Sequence, residues 1–107
     1  MILDVQIRRG AASSDVAELL SRCLKAPVAE DRFGNPMLRL DSGEIVIADD
    51  SYNAGQVYAE VRARDSVLAN RVYDVLVDNT AWDLSLVDST DNNPEDVVLR
   101  HRDASAA

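Results

Sequence analysis

The stretch that decides the fold is residues 37–64, MLRLDSGEIVIADDSYNAGQVYAEVRAR, which holds three strand-like runs separated by turn-forming residues. In the first run, Leu38 and Leu40 alternate with polar positions. The second run, 44–48, is continuously apolar and β-branched, which is typical of a strand covered on both faces. The third run, 57–64, alternates strictly between small apolar and polar residues, as a strand with one solvent-facing side does. Because the links are short, we expect an antiparallel meander.

A strand and a helix are predicted before this meander. Residues 2–8 alternate between apolar and polar side chains, which indicates a first strand. Residues 15–25 are predicted to be helical, because Ser13, Ser14 or Asp15 can cap the first turn and Pro27 stops the helix. The apolar stripe of this helix recurs at helical spacing: Val16, Leu19, Leu20, Cys23 and Leu24. Residues 26–36 follow as the longest irregular link.

A second helix and a last strand are predicted after the meander. The helix begins at Asp65 or Ser66, and its apolar stripe consists of Leu68, Val72, Val75 and Leu76. Residues 82–88 indicate a strand, with Trp82, Leu84 and Leu86 inward and Asp83, Ser85 and Asp88 outward. Residues 94–102 are predicted to form a short helix, because Pro94 suits its first position and basic residues suit its last turn. The alternative for the same residues is an edge strand.

The element order is therefore β-α-β-β-β-α-β, with a possible C-terminal helix. This order predicts an α+β fold, in which two helices pack on one face of a single, mostly antiparallel sheet. Without one central strand, the order is that of the split βαβ (ferredoxin-like) pattern, so we expect a sandwich related to that architecture. Residues 1–103 are expected to form one domain, followed by a frayed tail at 104–107.

The charge of the chain excludes several classes of partner. The chain of 107 residues carries 19 acidic and 11 basic residues, which gives a net charge of −8. Nucleic acids and anionic membranes need a basic face, so neither is an expected partner. No run approaches the roughly 18–20 apolar residues of a membrane span. The N-terminus is strand-like, so we expect no secretory signal and a cytoplasmic location.

The residues of common catalytic and metal sites are scarce in this sequence. One histidine, His101, and one cysteine, Cys23, cannot build a nucleophile triad readily or a zinc site of the usual ligands. Asp49 and Asp50 could hold a hard cation, but adjacent strand residues point to opposite faces. The acidic stretch 88–96 lacks the glycine and the final glutamate of a calcium loop. We therefore expect no enzyme, no cofactor and no metal site.

The acidic residues fall into two segments that contain no lysine or arginine. Residues 40–61 include five acidic residues, and residues 72–99 include seven. Tyrosine is enriched at binding hot spots and carboxylates attract basic partners, although acidity also serves solubility. The residues that we predict to bind a partner are Asp49, Asp50, Tyr52, Tyr58 and Glu60, with Asp83 and Asp88 as a second set. Phe33 is expected to fold onto the core, with an exposed binding anchor as the alternative.

These observations favour a small acidic protein-binding module. The expected partner is a basic protein, and the expected class is an inhibitor, antitoxin or immunity-type protein that neutralises a basic enzyme such as a nuclease. Two alternatives remain open at this point. One is a structural or regulatory subunit that forms a homodimer through a sheet edge. The other is an enzyme that uses carboxylates with Mg²⁺.

Overall fold

A computed structural model describes residues 1–8, 11–50, 55–89 and 97–103 of the chain. These residues form seven strands and two helices. In chain order they are β1 (Ile2–Arg8), α1 (Ser13–Leu24), β2 (Ala29–Glu30), β3 (Pro36–Leu40), β4 (Gly43–Asp49), β5 (Val57–Ala63), α2 (Val67–Asn79), β6 (Asp83–Asp88) and β7 (Val97–Arg102). The predicted meander is β3, β4 and β5, and the two predicted helices are α1 and α2.

The strands form one antiparallel sheet in the order β2-β3-β4-β5-β1-β6-β7. The first strand thus lies between β5 and β6, although β1 and β5 are far apart in the sequence. With α1 and α2, the four strands β6-β1-β5-β4 have the order of the split βαβ pattern. The pair β2-β3 extends this sheet at one edge and β7 extends it at the other. The predicted α+β class is therefore confirmed.

Both helices pack on one face of the sheet. Helix α1 contacts β3 and β4, whereas α2 contacts β1, β5 and β6. The helix face is built from every second residue of each strand, and the largest fully buried side chains include Leu3, Ile7, Leu38, Ile45, Ile47, Leu84 and Leu86. Burial of such apolar surface is the main favourable term in folding. The opposite face, which we call the open face, is covered by neither helix.

The two helices differ in how their ends are capped. Helix α1 starts without a side-chain cap, and its N-cap position is Ala12 rather than Ser13, Ser14 or Asp15 as predicted. The helix ends at Lys25, which adopts a left-handed conformation with φ 55°. At the start of α2, the Asp65 carboxylate accepts a hydrogen bond from the Val67 backbone N–H at 3.0 Å. Of the two predicted caps for α2, Asp65 is thus the one whose side chain bonds the first turn.

Three expectations need correction. The link 26–36 is not wholly irregular, because it contains β2. The predicted helix 94–102 is wrong, since Val97–Arg102 is strand β7, while residues 94–96 lie outside the described part. A nine-residue helix is marginal without tertiary support, and pairing with β6 supplies backbone hydrogen bonds instead. Asp88 does not share the outward face of Asp83: their positions differ by an odd number, so Asp88 lies on the helix face, opposite Leu3.

Candidate functional site

A groove of about 550 Å³ lies on the open face, where strands β3, β4 and β5 meet the loop 31–35. Its floor is formed by alternate residues of the three strands and its wall by the loop. Most of the lining side chains are charged or aromatic. They include Asp31, Phe33, Glu44, Tyr58, Glu60 and Arg62. The groove is a concave surface that combines aromatic and charged side chains, which makes it the candidate site.

Strand register explains how the floor is built. Tyr58 on β5 is opposite Ala48 on β4, and Glu60 is opposite Val46. The neighbouring side chains are short or compact, so the longer tyrosine and glutamate stand above the sheet surface. On the other side of β5, Glu60 is opposite Asp4 of β1. Two carboxylates are therefore direct cross-strand neighbours on the open face, an arrangement that destabilises a sheet.

The loop over the groove is held by the carboxylate of Asp31 together with backbone hydrogen bonds between Asp31 and Asn35 and between Gly34 and Asp31. Asp31 accepts hydrogen bonds from the backbone N–H groups of Asn35 and Phe33, both at 2.9 Å. These bonds favour the charged form of the carboxylate and hold the pKa of Asp31 below its ordinary value, and the bond from Asn35 has the larger effect. The turn also uses Gly34 at φ 82°, a conformation that glycine adopts without steric cost. Asp31 thus fixes a compact turn at the rim of the groove.

Phe33 projects from this turn into solvent. Its exposed fraction is 75%, and the guanidinium of Arg32 lies 5.1 Å from the centre of its ring. The expectation that Phe33 folds onto the core is therefore wrong, and the alternative, an exposed aromatic, is what the structure shows. The reason is local: the hydrogen bonds of Asp31 define the turn, and the turn directs residue 33 outward. An exposed phenylalanine beside a groove is a typical binding feature.

Tyr58 lies in the groove within the field of several carboxylates, and the lining also carries Arg32, Arg39 and Arg62. Burial raises the pKa of its phenol, and four carboxylates raise it further, in the order Glu60, Asp4, Asp50 and Asp31. The cause is the same in each case, because a negative charge nearby disfavours the phenolate. We call Asp4, Asp31, Asp50 and Glu60 the carboxylate cluster. Its members come from β1, the loop, the end of β4 and β5, and Tyr58 keeps its proton as a hydrogen-bond donor among them.

Arginines of the same strands offset only part of this charge. Arg62 approaches Glu60 with a distance of 3.4 Å from Nη2 to Oε1, and Arg39 approaches Glu44 at 4.0 Å from Nε to Oε2. Both arginine side chains are mostly exposed, at 54% and 74%, so each pair is long and solvated. Exposed pairs of this kind are typically worth about 0–1 kcal/mol. An incoming cation can therefore replace Arg62 at Glu60 at little cost.

The structure brings together only part of the predicted site. Tyr58 and Glu60 line the groove, whereas Asp50 does not line it and acts on Tyr58 only through its charge. Asp49 is exposed at the end of β4, on the helix face rather than the open face, because it follows Ala48 in the alternation. Tyr52 lies outside the described residues. Neither Asp83 nor Asp88 lines the groove, since both are on β6.

Two members of the carboxylate cluster were missed by the sequence analysis. The alternation of β1 places Asp4 on the open face, but its proximity to Glu60 depends on the pairing of β1 with β5. Asp31 lies in the segment DRFGNP, whose turn character was visible in the sequence. The direction of that turn, over the sheet rather than away from it, was not encoded in any local pattern.

A second polar group lies at the other end of the open face. His101 on β7 is placed by two hydrogen bonds, one between Nδ1 and Ser85 Oγ and one between Nε2 and Asp103 Oδ1, both at 2.8 Å. Asp83 Oδ1 is 3.9 Å from Nδ1. His101 was expected at a solvated helix end and instead lies on a strand. Ser85, His101 and Asp103 follow one another in the order of a catalytic triad, and Ser85 is 6% exposed.

The same group has the composition of a weak metal site. The possible ligand atoms of Asp83, His101 and Asp103 lie within 4.8 Å of one another. Imidazole and carboxylate are ligands that first-row transition metals accept. However, both nitrogens of His101 already have hydrogen-bond partners, and these bonds account for the positions of His101 and Asp103. They do not account for Asp83, whose Oδ1 is buried and has no hydrogen-bond partner among the described residues. We interpret the group as a polar network that joins β7 to β6.

Comparison of the chain with protein-family models, with curated proteins and with solved structures finds no match. Within the described residues, neither helix is long and apolar enough to cross a bilayer. The argument for function therefore depends on the geometry and charge of the groove.

Proposed function

We propose that the protein is a non-enzymatic binding module that takes a basic side chain of a protein partner into the groove. The observation that carries this proposal is the position of Tyr58, in an open groove and within the field of four carboxylates. Like-charged groups held together are costly in the free protein. A bound cation relieves that cost, so the groove is better suited to an arginine or lysine than to any neutral or acidic group.

The shape of the site favours arginine over lysine. A planar guanidinium can donate two parallel hydrogen bonds from its N–H groups to a carboxylate such as that of Glu60, in place of the long bond from Arg62. It can also stack on an aromatic ring, and both Tyr58 and the exposed Phe33 line the groove. Aromatic anchors beside charges that become desolvated are the usual composition of a binding hot spot.

Charge and size extend the proposal to a class of partner. A chain of 107 residues with net charge −8 would associate rapidly with a basic protein through long-range attraction. We therefore place it among inhibitor, antitoxin or immunity-type proteins that act in the cytoplasm, and we expect it to cover the active surface of a basic enzyme such as a nuclease. This part rests on analogy of charge and size.

The proposal is tested by site-specific photocrosslinking in the native cell. A benzophenone amino acid would replace Phe33 at the groove, and Val67 as a matched control, because Val67 is 69% exposed on α2. We expect one basic protein to be crosslinked from position 33 and not from position 67. Equal crosslinking from both positions would argue against the groove.

The crosslinked protein would then be purified and its affinity measured by calorimetry. We expect Glu60→Gln to weaken binding by about tenfold, the loss of one charge-assisted contact. Affinity should also fall between about 50 mM and about 500 mM salt, because exposed charges are screened. An affinity that is unchanged by Glu60→Gln and by salt would overturn the proposal.

A further inference from the structure

The polar network that joins β7 to β6 leaves one neighbouring carboxylate unsatisfied. The side chain of Asp83 is only 14% exposed, and its Oδ1 is buried without a hydrogen-bond partner among the described residues. Its one ion-pair partner in that part of the chain is the imidazole of His101, with Nδ1 at 3.9 Å, which is too long for a hydrogen bond. A buried carboxylate oxygen without a partner is costly, so this position is suited to a cation.

Strand pairing places a second carboxylate at the same point of the sheet. Ser85 of β6 lies opposite His101 of β7, and both residues are on the open face. Asp83 and Asp103 are each two residues away from this pair, one on either strand, so they share that face. Asp103 Oδ1 is 2.8 Å from Nε2 of His101. Two carboxylates therefore flank one imidazole, which can carry at most one positive charge.

The three side chains have nearly the spacing of ligands around a single metal ion. Their possible ligand atoms all lie within 4.8 Å of one another. Zinc bonds to histidine nitrogen and to carboxylate oxygen are about 2.0–2.2 Å long, so two ligands of one ion are at most about 4.4 Å apart. A shift of a few tenths of an ångström closes the difference. Asp103 has the room for it, because its side chain is 90% exposed.

His101 is also supported in the way that a metal-binding histidine requires. Such a histidine binds the ion through one ring nitrogen, and its other N–H donates to a neighbour that fixes the ring. The Nε2 atom is the one beside Asp103, and Nδ1 is hydrogen-bonded to the hydroxyl of Ser85 at 2.8 Å. Since Ser85 is itself buried, it holds the imidazole in place while Nε2 binds the ion.

We propose that Asp83, His101 and Asp103 bind one divalent transition-metal ion such as Zn²⁺, which fixes the edge strand β7 to β6. A donor set of imidazole and carboxylate suits these ions, whereas Ca²⁺ and Mg²⁺ prefer oxygen ligands alone. Three protein ligands leave a position of the ion for water. The two positive charges of the ion offset the two carboxylates and give Asp83 the partner that it lacks.

This site departs from the expectation that the chain has no metal site. That expectation considered the usual zinc ligands, of which the chain has one histidine and one cysteine. The proposed site uses one histidine between two aspartates, and only the pairing of β6 with β7 brings them together. The site is independent of the proposed function, because none of its three residues lines the groove.

Titration calorimetry with ZnCl₂ tests the proposal. We expect the wild type to bind one Zn²⁺ per chain and Asp83→Asn to bind it at least about tenfold more weakly, because even the loss of an orienting partner costs roughly 10–100-fold in metal affinity. Asp41→Asn, which removes a carboxylate at an exposed turn, is the control and should bind Zn²⁺ as the wild type does. Far-UV circular dichroism would establish that both variants are folded.

Nuclear magnetic resonance provides a second readout that needs no variant. Added Zn²⁺ should shift the ring resonances of His101, while those of Tyr58 in the groove should not change. Hydrogen exchange within Val97–Arg102 should slow, because the ion ties β7 to its neighbour. Two results would overturn the proposal: equal Zn²⁺ affinity of the wild type and Asp83→Asn, or His101 ring resonances that Zn²⁺ leaves unchanged.

Discussion

Asp4 and Glu60 lie directly opposite each other on the neighbouring strands β1 and β5, with both carboxylates on the open face of the sheet. Asp4 Oδ2 accepts a hydrogen bond from Ser89 Oγ at 2.8 Å, and Glu60 has the long contact with Arg62. Like charges in direct cross-strand positions destabilise a sheet. The pair therefore opposes folding in the free protein and favours a bound cation.

We predict that Asp4→Asn stabilises the free protein and weakens binding of a basic partner. The asparagine keeps an acceptor for Ser89 but removes one of two facing charges, which should raise the free energy of unfolding by about 0.2–1 kcal/mol. Urea denaturation would measure the gain. Asp41→Asn, at an exposed turn position, is the control and should change stability little. A loss of stability in Asp4→Asn would contradict the prediction.

The raised pKa of Tyr58 predicts a loss of stability at alkaline pH. In the unfolded chain the phenol ionises near its ordinary pKa of about 10, whereas in the folded chain it ionises at higher pH. The unfolded state therefore binds fewer protons in this window, and stability falls as pH rises from the unfolded-state pKa to the folded-state pKa. In Tyr58→Phe the free energy of unfolding should decrease less steeply above about pH 10.

Carbon NMR of the tyrosine rings would follow the ionisation of Tyr58 itself. Its resonance should titrate above the ordinary range in the wild type and closer to that range in Glu60→Gln, because the largest of the carboxylate effects is removed. If the resonance titrates at the ordinary value in the wild type, the carboxylate cluster does not act on Tyr58.

Gly43→Ala is predicted to be strongly destabilising. A Cβ at this position would lie 2.4 Å from the backbone oxygen of Arg62 and 2.9 Å from Cβ of Ala63, and the backbone has φ +156°. Strain and displacement of β5 together should cost about 2–4 kcal/mol. Gly34→Ala is the matched control, because its φ is +82° but no atom lies within 4 Å of the added Cβ.

The control separates the cost of conformation from the cost of the clash. Gly34→Ala should lose only about 1–2 kcal/mol, the usual penalty for a left-handed alanine. Thermal or urea unfolding of the two variants would give the difference. Equal losses of stability in the two variants would mean that β4 and β5 leave room for a Cβ atom at position 43.

Arg102 is predicted to hold β7 against the end of α2. Its guanidinium donates to Val77 O at 2.9 Å and to Trp82 O, and it reaches Thr80 Oγ1 at 3.3 Å. Arg102→Ala leaves these partly buried carbonyls without a donor, which should cost about 1–3 kcal/mol. Arg39→Ala, which loses one long contact of a 74% exposed side chain, should cost far less. Urea unfolding of both variants measures the difference, and comparable losses would contradict this role.

Much of the fold follows from local patterns in the sequence. The strict alternation of Val57–Ala63 and the helical stripe of Val16, Leu20 and Leu24 each bury one face, and the structure keeps both elements close to their predicted bounds. The turn at 41–43 likewise follows from residue chemistry, because glycine is required where β4 passes close to β5. From such periodicities the α+β class follows, since helices and strands with one apolar face must pack on each other.

The tertiary structure decided what depends on partners distant in the chain. Val97–Arg102 has helical end signals, but β6 offered an unused edge, and the backbone hydrogen bonds of β7 outweighed the propensity of a short isolated helix. The carboxylate cluster exists because β1 pairs with β5 and the loop 31–35 lies over β4, and a local pattern contains neither relation.

Sequence alone therefore determined the elements, their buried faces and the acidity of the chain. It also singled out Tyr58 and Glu60 as neighbours on one strand face, because two residues at positions i and i+2 must share a side. Which other acidic residues join them was decided by strand order and register. Charges converge in space through long-range pairing, and the free energy of that pairing comes from the buried apolar face on the other side of the same strands.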